Sequence, residues 1–270
     1  MVTENPLGKI TPVAELYSPQ LLFSIPRAPS RLELGLPAQE LPFKGEDVWH
    51  AWEVSWLGPG GRPEMRVGRF RVPCASPNLI ESKSLKLYLN SLNQTEYSDS
   101  KQVLELIQTD LSSAAGAPVQ VELLALDSEL LEISPMPGNC VDGLQPSELC
   151  EQPDAVLLQS EEQPVDEVVY SHLLRSLCPV TAQPDWATVI VSYSGRKILP
   201  QSFLAYILSY RRHQAFHEQC VERIFHDLQG SCQPTRLTVQ ALYTRRGGLD
   251  INPIRSTGQG ETDDLRCARQ

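Results

Sequence analysis

Apolar and polar residues alternate along two separate stretches, Trp52, Val54, Trp56 and Val189, Val191, Tyr193, and a period of two predicts strands. Elsewhere the period lengthens. From Phe216 to Leu228 the positions 217, 221, 224 and 228 recur at i, i+4, i+7 and i+11, with His217 counted on the apolar face, which predicts an amphipathic helix. Gln233-Pro234 is the turn signal that ends it, and Leu237 to Tyr243 reads as the next strand.

Set against itself at an offset of 118 residues, the chain pairs Leu85 with Phe203, Tyr88 with Tyr206, Leu89 with Ile207, Ser91 with Ser209 and Val103 with Val221. After a one-residue slip Ile107, Asp110 and Leu111 fall on Ile224, Asp227 and Leu228, and the offset then returns to place Val119 and Val121 on Leu237 and Val239. Each half reads as strands, then helices, then strand. This predicts an α+β protein of two tandem modules with mainly antiparallel sheets and helices on one face. The expected divisions are an N-terminal arm at 1–40, a first module at 41–127, an acidic connection at 128–168 and a second module at 169–270.

Composition narrows the function classes. The net charge of −10 is local, because residues 128–168 carry ten acidic residues and no Lys or Arg, and the rest of the chain is balanced. A broad basic face for a nucleic-acid backbone is therefore not expected. No apolar run approaches the roughly 18 residues of a membrane span, and the polar start MVTENPLGK lacks a signal peptide's apolar core. Seven scattered cysteines without a Cys-x-x-Cys pair predict reduced thiols in a cytoplasmic protein.

Four segments carry candidate chemistry. SLCPVTAQPDWAT at 176–188 sets Cys178 and Asp185 seven apart in a turn-rich stretch; a reactive pair and a buried thiol beside a turn former both fit. His217 and Glu218 open the amphipathic helix, as a functional pair or as a core histidine with a first-turn Glu favoured by the helix dipole. His213, His217 and Cys220 share a helical face, but a metal there would need a further ligand that the sequence does not offer. Serines at 82 and 84 with Lys83 and Lys86 at a helix start suit a phosphate, as does the Arg-Arg-Gly-Gly run at 245–248; ordinary caps and turns fit equally.

These segments, ESKSLKLYLNS at 81–91, SLCPVTAQPDWAT at 176–188, FHEQCVERI at 216–224 and TRRGGLDINP at 244–253, resemble the 7-cyano-7-deazaguanine reductases of queuosine biosynthesis in their two-module form. The likeness covers most of residues 40–256. It implies tandem tunnelling-fold modules, a deazapurine substrate, NADPH as the reductant with no metal, and a homodimer. In the family's short form the ESKS and Cys/Asp/His-Glu motifs share one module. Here they fall in different halves, so each half alone is expected to be inactive and the site to lie between them.

By the same resemblance Cys178 is the nucleophile and Asp185 the proton donor, with burial beside Trp186 helping it to keep a proton. Ile80, Glu81, Ser82, His217 and Glu218 bind substrate; Ser82, Lys83, Arg246 and Gly247 contact the cofactor. No Gly-x-Gly-x-x-Gly fingerprint is present, so the cofactor platform is not a Rossmann domain. A protective disulfide between Cys178 and Cys220 is a further expectation. The rival readings are a cysteine hydrolase using Cys178 with His217 or His172, a zinc-dependent cyclohydrolase-type enzyme, and a purine-binding module with a structural Cys178.

Overall fold

The computed structural model describes residues 16–37, 40–258 and 265–270; most of the N-terminal arm's first half lies outside that range. The chain order is β1 (Ser24–Pro26), α1 (Ala28–Glu33), β2 (Lys44–Leu57), β3 (Pro63–Pro73), β4 (Asn78–Ile80), α2 (Ser82–Asn90), α3 (Ser100–Ala115), β5 (Gln120–Leu124), β6 (Asn139–Cys140), β7 (Ser160–Leu177), β8 (Pro184–Ile198), α4 (Pro200–Ser209), α5 (His217–Cys232), β9 (Arg236–Tyr243) and β10 (Leu249–Ser256). Two compact units result. One takes the residues up to Ser30, Glu46–Glu132 and Arg245–Ile251; the other takes Arg31–Gly45, Ile133–Thr244 and Asn252–Gln270. The fold is α+β, with two modules built mainly from antiparallel strands, α2 and α3 packing in one and α4 and α5 in the other.

In the first unit β2 pairs antiparallel with β3, and β3 with β5. Trp49, Val54, Trp56, Phe70 and Val72 from one face of this sheet pack against Leu85 and Tyr88 of α2 and Val103, Ile107 and Leu111 of α3, all buried. The last three sit four residues apart, which is why α3 presents a single apolar stripe. A bulge between Ala51 and Val54 changes the phase of β2. Trp52, expected on the face of Val54 and Trp56, therefore packs on the other face with Val67 and Leu131.

In the second unit β7, β8, β9 and β10 pair antiparallel in sequence, and the short β6 adds parallel to β7. Val189, Val191 and Tyr193 of β8 are buried, as expected from their spacing. α5 runs as predicted and stops where Gln233 adopts a left-handed conformation (φ 50°) before Pro234. Its face also buries Glu222, whose carboxylate takes paired hydrogen bonds from Arg31 (2.7 and 3.0 Å) and from Arg255 (2.8 and 3.1 Å). Part of the acidic stretch has definite structure: Asp142 accepts from the Ser171 hydroxyl (2.6 Å) and the His172 amide (3.0 Å) beside the bulge in β7.

The internal repeat reappears as chemistry. Tyr88 donates to Asp110 (2.6 Å) in one unit and Tyr206 to Asp227 (2.7 Å) in the other. Ser91 and Ser209 each cap their helix by donating to the carbonyl three residues back, at 2.6 and 2.5 Å. No helix among the described residues is long and apolar enough to cross a membrane.

Candidate active site

The hairpin of β7 and β8 narrows to the pair Leu177 and Pro184, and Cys178 then opens the turn, its amide donating to the Gln183 carbonyl and its carbonyl accepting from the Ala182 amide, each at 2.9 Å. Ala182 makes the reversal with φ 54°. The strand end is stitched down on its other edge, where the Leu177 amide donates to the His213 carbonyl (2.8 Å) and the Leu177 carbonyl accepts from the Ala215 amide (3.1 Å). Ser176 lies opposite Asp185 in the register, and strand alternation continues onto Cys178, so these three side chains leave the hairpin on one face. Both Cys178 and Asp185 are buried.

The stitched loop leads straight into α5, whose first residue is His217. The Phe216 amide donates to the Gln219 side chain (3.1 Å), which fixes the helix start. His217 Nε2 stands 3.4 Å from Asp185 Oδ2, and its ring lies flat on Tyr243, with centroids 3.7 Å apart and planes 7° from parallel. His217 Nδ1 is buried without a hydrogen-bond partner. Glu218 is buried next to it in the first turn.

Beneath this layer Cys220 is enclosed, and burial pushes its thiol up to about 12, with the carboxylates of Asp185 and Glu218 close enough to add to the effect and the Ser176 and Tyr243 hydroxyls opposing it. Burial, then Cys220, raises the Tyr243 phenol well above its ordinary value. All seven cysteines are free thiols. Thus the Cys220 thiol, the carboxyl groups of Asp185 and Glu218 and the His217 imidazole meet in one buried nest, on the side of the hairpin from which Cys178 also leaves.

One expectation changes. Asp185 was to be sheltered by Trp186, but consecutive strand residues point to opposite faces, and the Trp186 indole instead lies within 5.5 and 5.7 Å of the Arg175 and Arg211 guanidinium groups, 36% exposed. His217 stands beside Asp185 in its place, on the Tyr243 ring. Ser176 and Tyr243 were not singled out as its surroundings, and Cys220 was marked only by its place one helical turn after His217 and as a disulfide partner for Cys178.

The remaining predicted residues lie in the first unit. Glu81 is the N-cap of α2 and accepts from the Lys83 and Ser84 amides at 2.8 and 2.7 Å, so both its oxygens already hold the helix start and offer a ligand only their other lone pairs. Ile80 is buried above it, and Ser82 and Lys83 form the first turn, half-buried. Arg246 and Gly247 belong to a tight turn closed by the Arg246 amide donating to the Leu249 carbonyl (2.8 Å). Gly247 and Gly248 have φ of 59° and 79°, where side chains are strained.

That turn and α2 enclose a cavity of about 170 Å³ lined by Glu53, Lys86, Asn90, Asn93, Gly247 and Gly248. A Cβ on Gly247 would sit 3.2 Å from Lys86 Nζ, and one on Gly248 would meet Glu53 at 2.2 Å. The cavity thus joins a cation, the Glu53 carboxylate, amide side chains and a backbone kept bare, a set that fits ribose hydroxyls, with Lys86 the one charge there suited to a phosphate. Among the described residues no group of three His, Cys, Asp or Glu side chains is placed to hold a metal ion.

A family model described as nitrile reductase, 7-cyano-7-deazaguanine-reductase N-term, matches residues 13–123, and one described as QueF-like protein matches residues 184–262. Together they span more than two thirds of the chain. Among solved structures, the crystal structure of the archaeosine synthase QueF-Like in the apo form aligns at a TM-score of 0.31 and 20% identity, over 38% of this chain and 100% of its own.

Proposed function

This chain belongs to the QueF family of 7-cyano-7-deazaguanine reductases, and we propose that it reduces that nitrile to the aminomethyl group with NADPH, through a covalent thioimide on Cys178, as a cytoplasmic homodimer. The observation that carries the reading is the shared face of Cys178 and Asp185 on one hairpin, with His217 3.4 Å from the acid.

Cys178 adds through sulfur to the nitrile carbon, and Asp185 delivers a proton to the nitrogen, leaving a neutral thioimide. NADPH, when bound, supplies hydride to that carbon, and two are consumed per amine. After the first reduction the C–S bond breaks, Cys178 leaves as thiolate, and an imine remains for the second. His217, flat on Tyr243, and Glu218 face the deazapurine; a carboxylate suits its N–H edge because it only accepts. The closed surroundings of Cys178 and Asp185 keep water from hydrolysing the thioimide. Ser82, Lys83, Arg246 and Gly247 would hold the cofactor, joined by Lys86, whose amine lines the cavity beside Gly247.

The test mixes purified protein with 7-cyano-7-deazaguanine and NADPH and follows the nicotinamide absorbance. Two NADPH oxidised per amine, none by Cys178→Ala, and a mass adduct on Cys178 when NADPH is omitted are expected. Turnover of the nitrile without NADPH loss would replace this reading with hydrolysis.

A further inference from the structure

Tyr243, the platform under His217, is the last residue of β9, and its own peptide is held in an unusual way. On one side β9 follows β8, with Tyr243 opposite Ala187 and the Thr244 amide donating to the Trp186 carbonyl at 2.9 Å. On the other side the ladder with β10 runs from Ser256 and Thr238 to Ile254 and Gln240 and stops there. Side chains take over beyond that point. Asn252 Oδ1 accepts from the Tyr243 amide at 3.1 Å, while Gln270 Nε2 donates to the Tyr243 carbonyl at 3.2 Å and to Asn252 Oδ1 at 2.7 Å.

Gln270 is brought to this place by the segment 265–270. Leu265 and Cys267 pack with Ile190 and Leu242, Arg269 donates to the His172 carbonyl (2.9 Å) and Thr188 hydroxyl (3.1 Å), and the Cys267 amide fixes Gln270 Oε1 at 3.0 Å. Asn252 and Gln270 are 2% and 7% exposed, so water does not compete for these bonds. The stack of His217 on Tyr243 has no directional bond of its own, and His217 Nδ1 has no partner. The helix start places the His217 backbone, and the Tyr243 ring, carried on its held peptide, is the surface against which the imidazole settles toward Asp185.

We propose that Gln270, through Asn252 and the Tyr243 peptide, is a positioning residue that sets His217 against Asp185, a role that rests on the nitrile-reductase reading. Gln270→Leu removes both donated bonds together with the acceptor of the Cys267 amide, and leaves the fold's apolar contacts in place. A displacement near 1 Å at a catalytic group costs up to about 100-fold in rate, so a fall in kcat of at least about 10-fold is expected, with the KM for NADPH unchanged. Gln270→Glu, which turns an acceptor toward two acceptors, should lose at least as much.

Ser256→Ala is the control: it deletes the hydroxyl pair with Thr238 (2.8 Å) on the same two strands, at the far end of the ladder. A kcat loss in Gln270→Leu that Ser256→Ala lacks at matched Tm supports the proposal; losses that track Tm in both variants overturn it. Should Gln270→Leu not fold, Gln270→Asn, one methylene too short for the Tyr243 carbonyl, takes its place. If the wild-type protein reduces no nitrile, the functional reading falls by itself, and the ¹⁵N resonances of the His217 ring decide the positioning: shifted in the Gln270 variant alone, it stands, and unshifted, it fails.

Discussion

The carbonyl that holds the end of β7 belongs to His213, and the burial of that residue's ring is expected to make this end of the hairpin sensitive to acid. The ring lies edge-on to the buried Tyr210, with centroids 5.4 Å apart and planes at 84°. Burial, then the Arg223 guanidinium, pull its pKa from 6.5 down to about 4. The folded chain thus keeps His213 neutral where the unfolded chain would protonate it. Below pH 6.5 the unfolded state binds more protons, so this contribution is intact above that value and is lost as the pH falls from 6.5 toward 4. At roughly 1.4 kcal/mol for each tenfold change in proton affinity, cut by about half because the ring is only partly buried, the loss is about 1–2 kcal/mol. Urea unfolding of the wild type and His213→Gln between about pH 7.5 and about pH 4.5 measures it, and the variant's curve should be flatter by that amount. Because the backbone of the same residue stitches down Leu177, nitrile reduction should decline over the same window. Parallel stability profiles, or a wild type that gains stability on acidification there, would refute the reasoning.

The repeated buried hydroxyls make a second comparison. Tyr206→Phe strips a charged acceptor and strands the Tyr210 hydroxyl, for about 2–3 kcal/mol, whereas after Tyr88→Phe the Asp110 carboxylate keeps Tyr17 at 2.8 Å and the loss should be about 1 kcal/mol; equal losses in urea unfolding would sink the argument. Gly247→Ala, strained by about 1 kcal/mol at its positive φ and crowding Lys86, should raise the KM for NADPH with kcat nearly kept, and an unchanged KM would remove the cofactor from that cavity. Iodoacetamide near neutral pH should label exposed Cys140 and Cys150 but not Cys220 or Cys232, whose thiols burial raises to about 12 and about 11; peptide mass spectrometry reading rapid modification of Cys220 would contradict its enclosure.

What the sequence made legible was whatever a local period or a fixed spacing encodes. Helix α5 and strand β9 came from periodicity, and the tandem modules came from positions that now prove to be the same buried contacts, Tyr88 with Asp110 and Tyr206 with Asp227. The side on which Trp52 lies was not legible, because a bulge is decided by the partner strand as much as by its own residues. Nor was the grouping of residues 245–251 with the first unit, which carries Arg246 and Gly247 to the α2 cavity. The Gln270 contacts join residues far apart in sequence and leave no period behind.

The two modules, compared with each other, also bear on the proposed chemistry. In the first, β2 and β3 narrow to the pair Leu57 and Pro63, the Gly58 amide closes the turn onto the Arg62 carbonyl (2.8 Å), and Leu57 is stitched to Thr95 and Tyr97 at 3.0 and 2.8 Å. In the second, Leu177 and Pro184 narrow the hairpin, Cys178 closes the turn, and Leu177 is stitched to His213 and Ala215. The same frame therefore carries Gly58 in one copy and Cys178 in the other, Trp56 opposite Glu64 in one and Ser176 opposite Asp185 in the other. Helix α3 begins at Ser100 behind the capping Asp99; α5 begins at His217, whose imidazole turns to the acid instead. Since the frame is made in both copies, the demands of folding do not account for Cys178, Asp185 and His217 arising together in only one of them. Their joint appearance at matching places of the frame in one copy alone is what a site grafted onto a duplicated scaffold would produce.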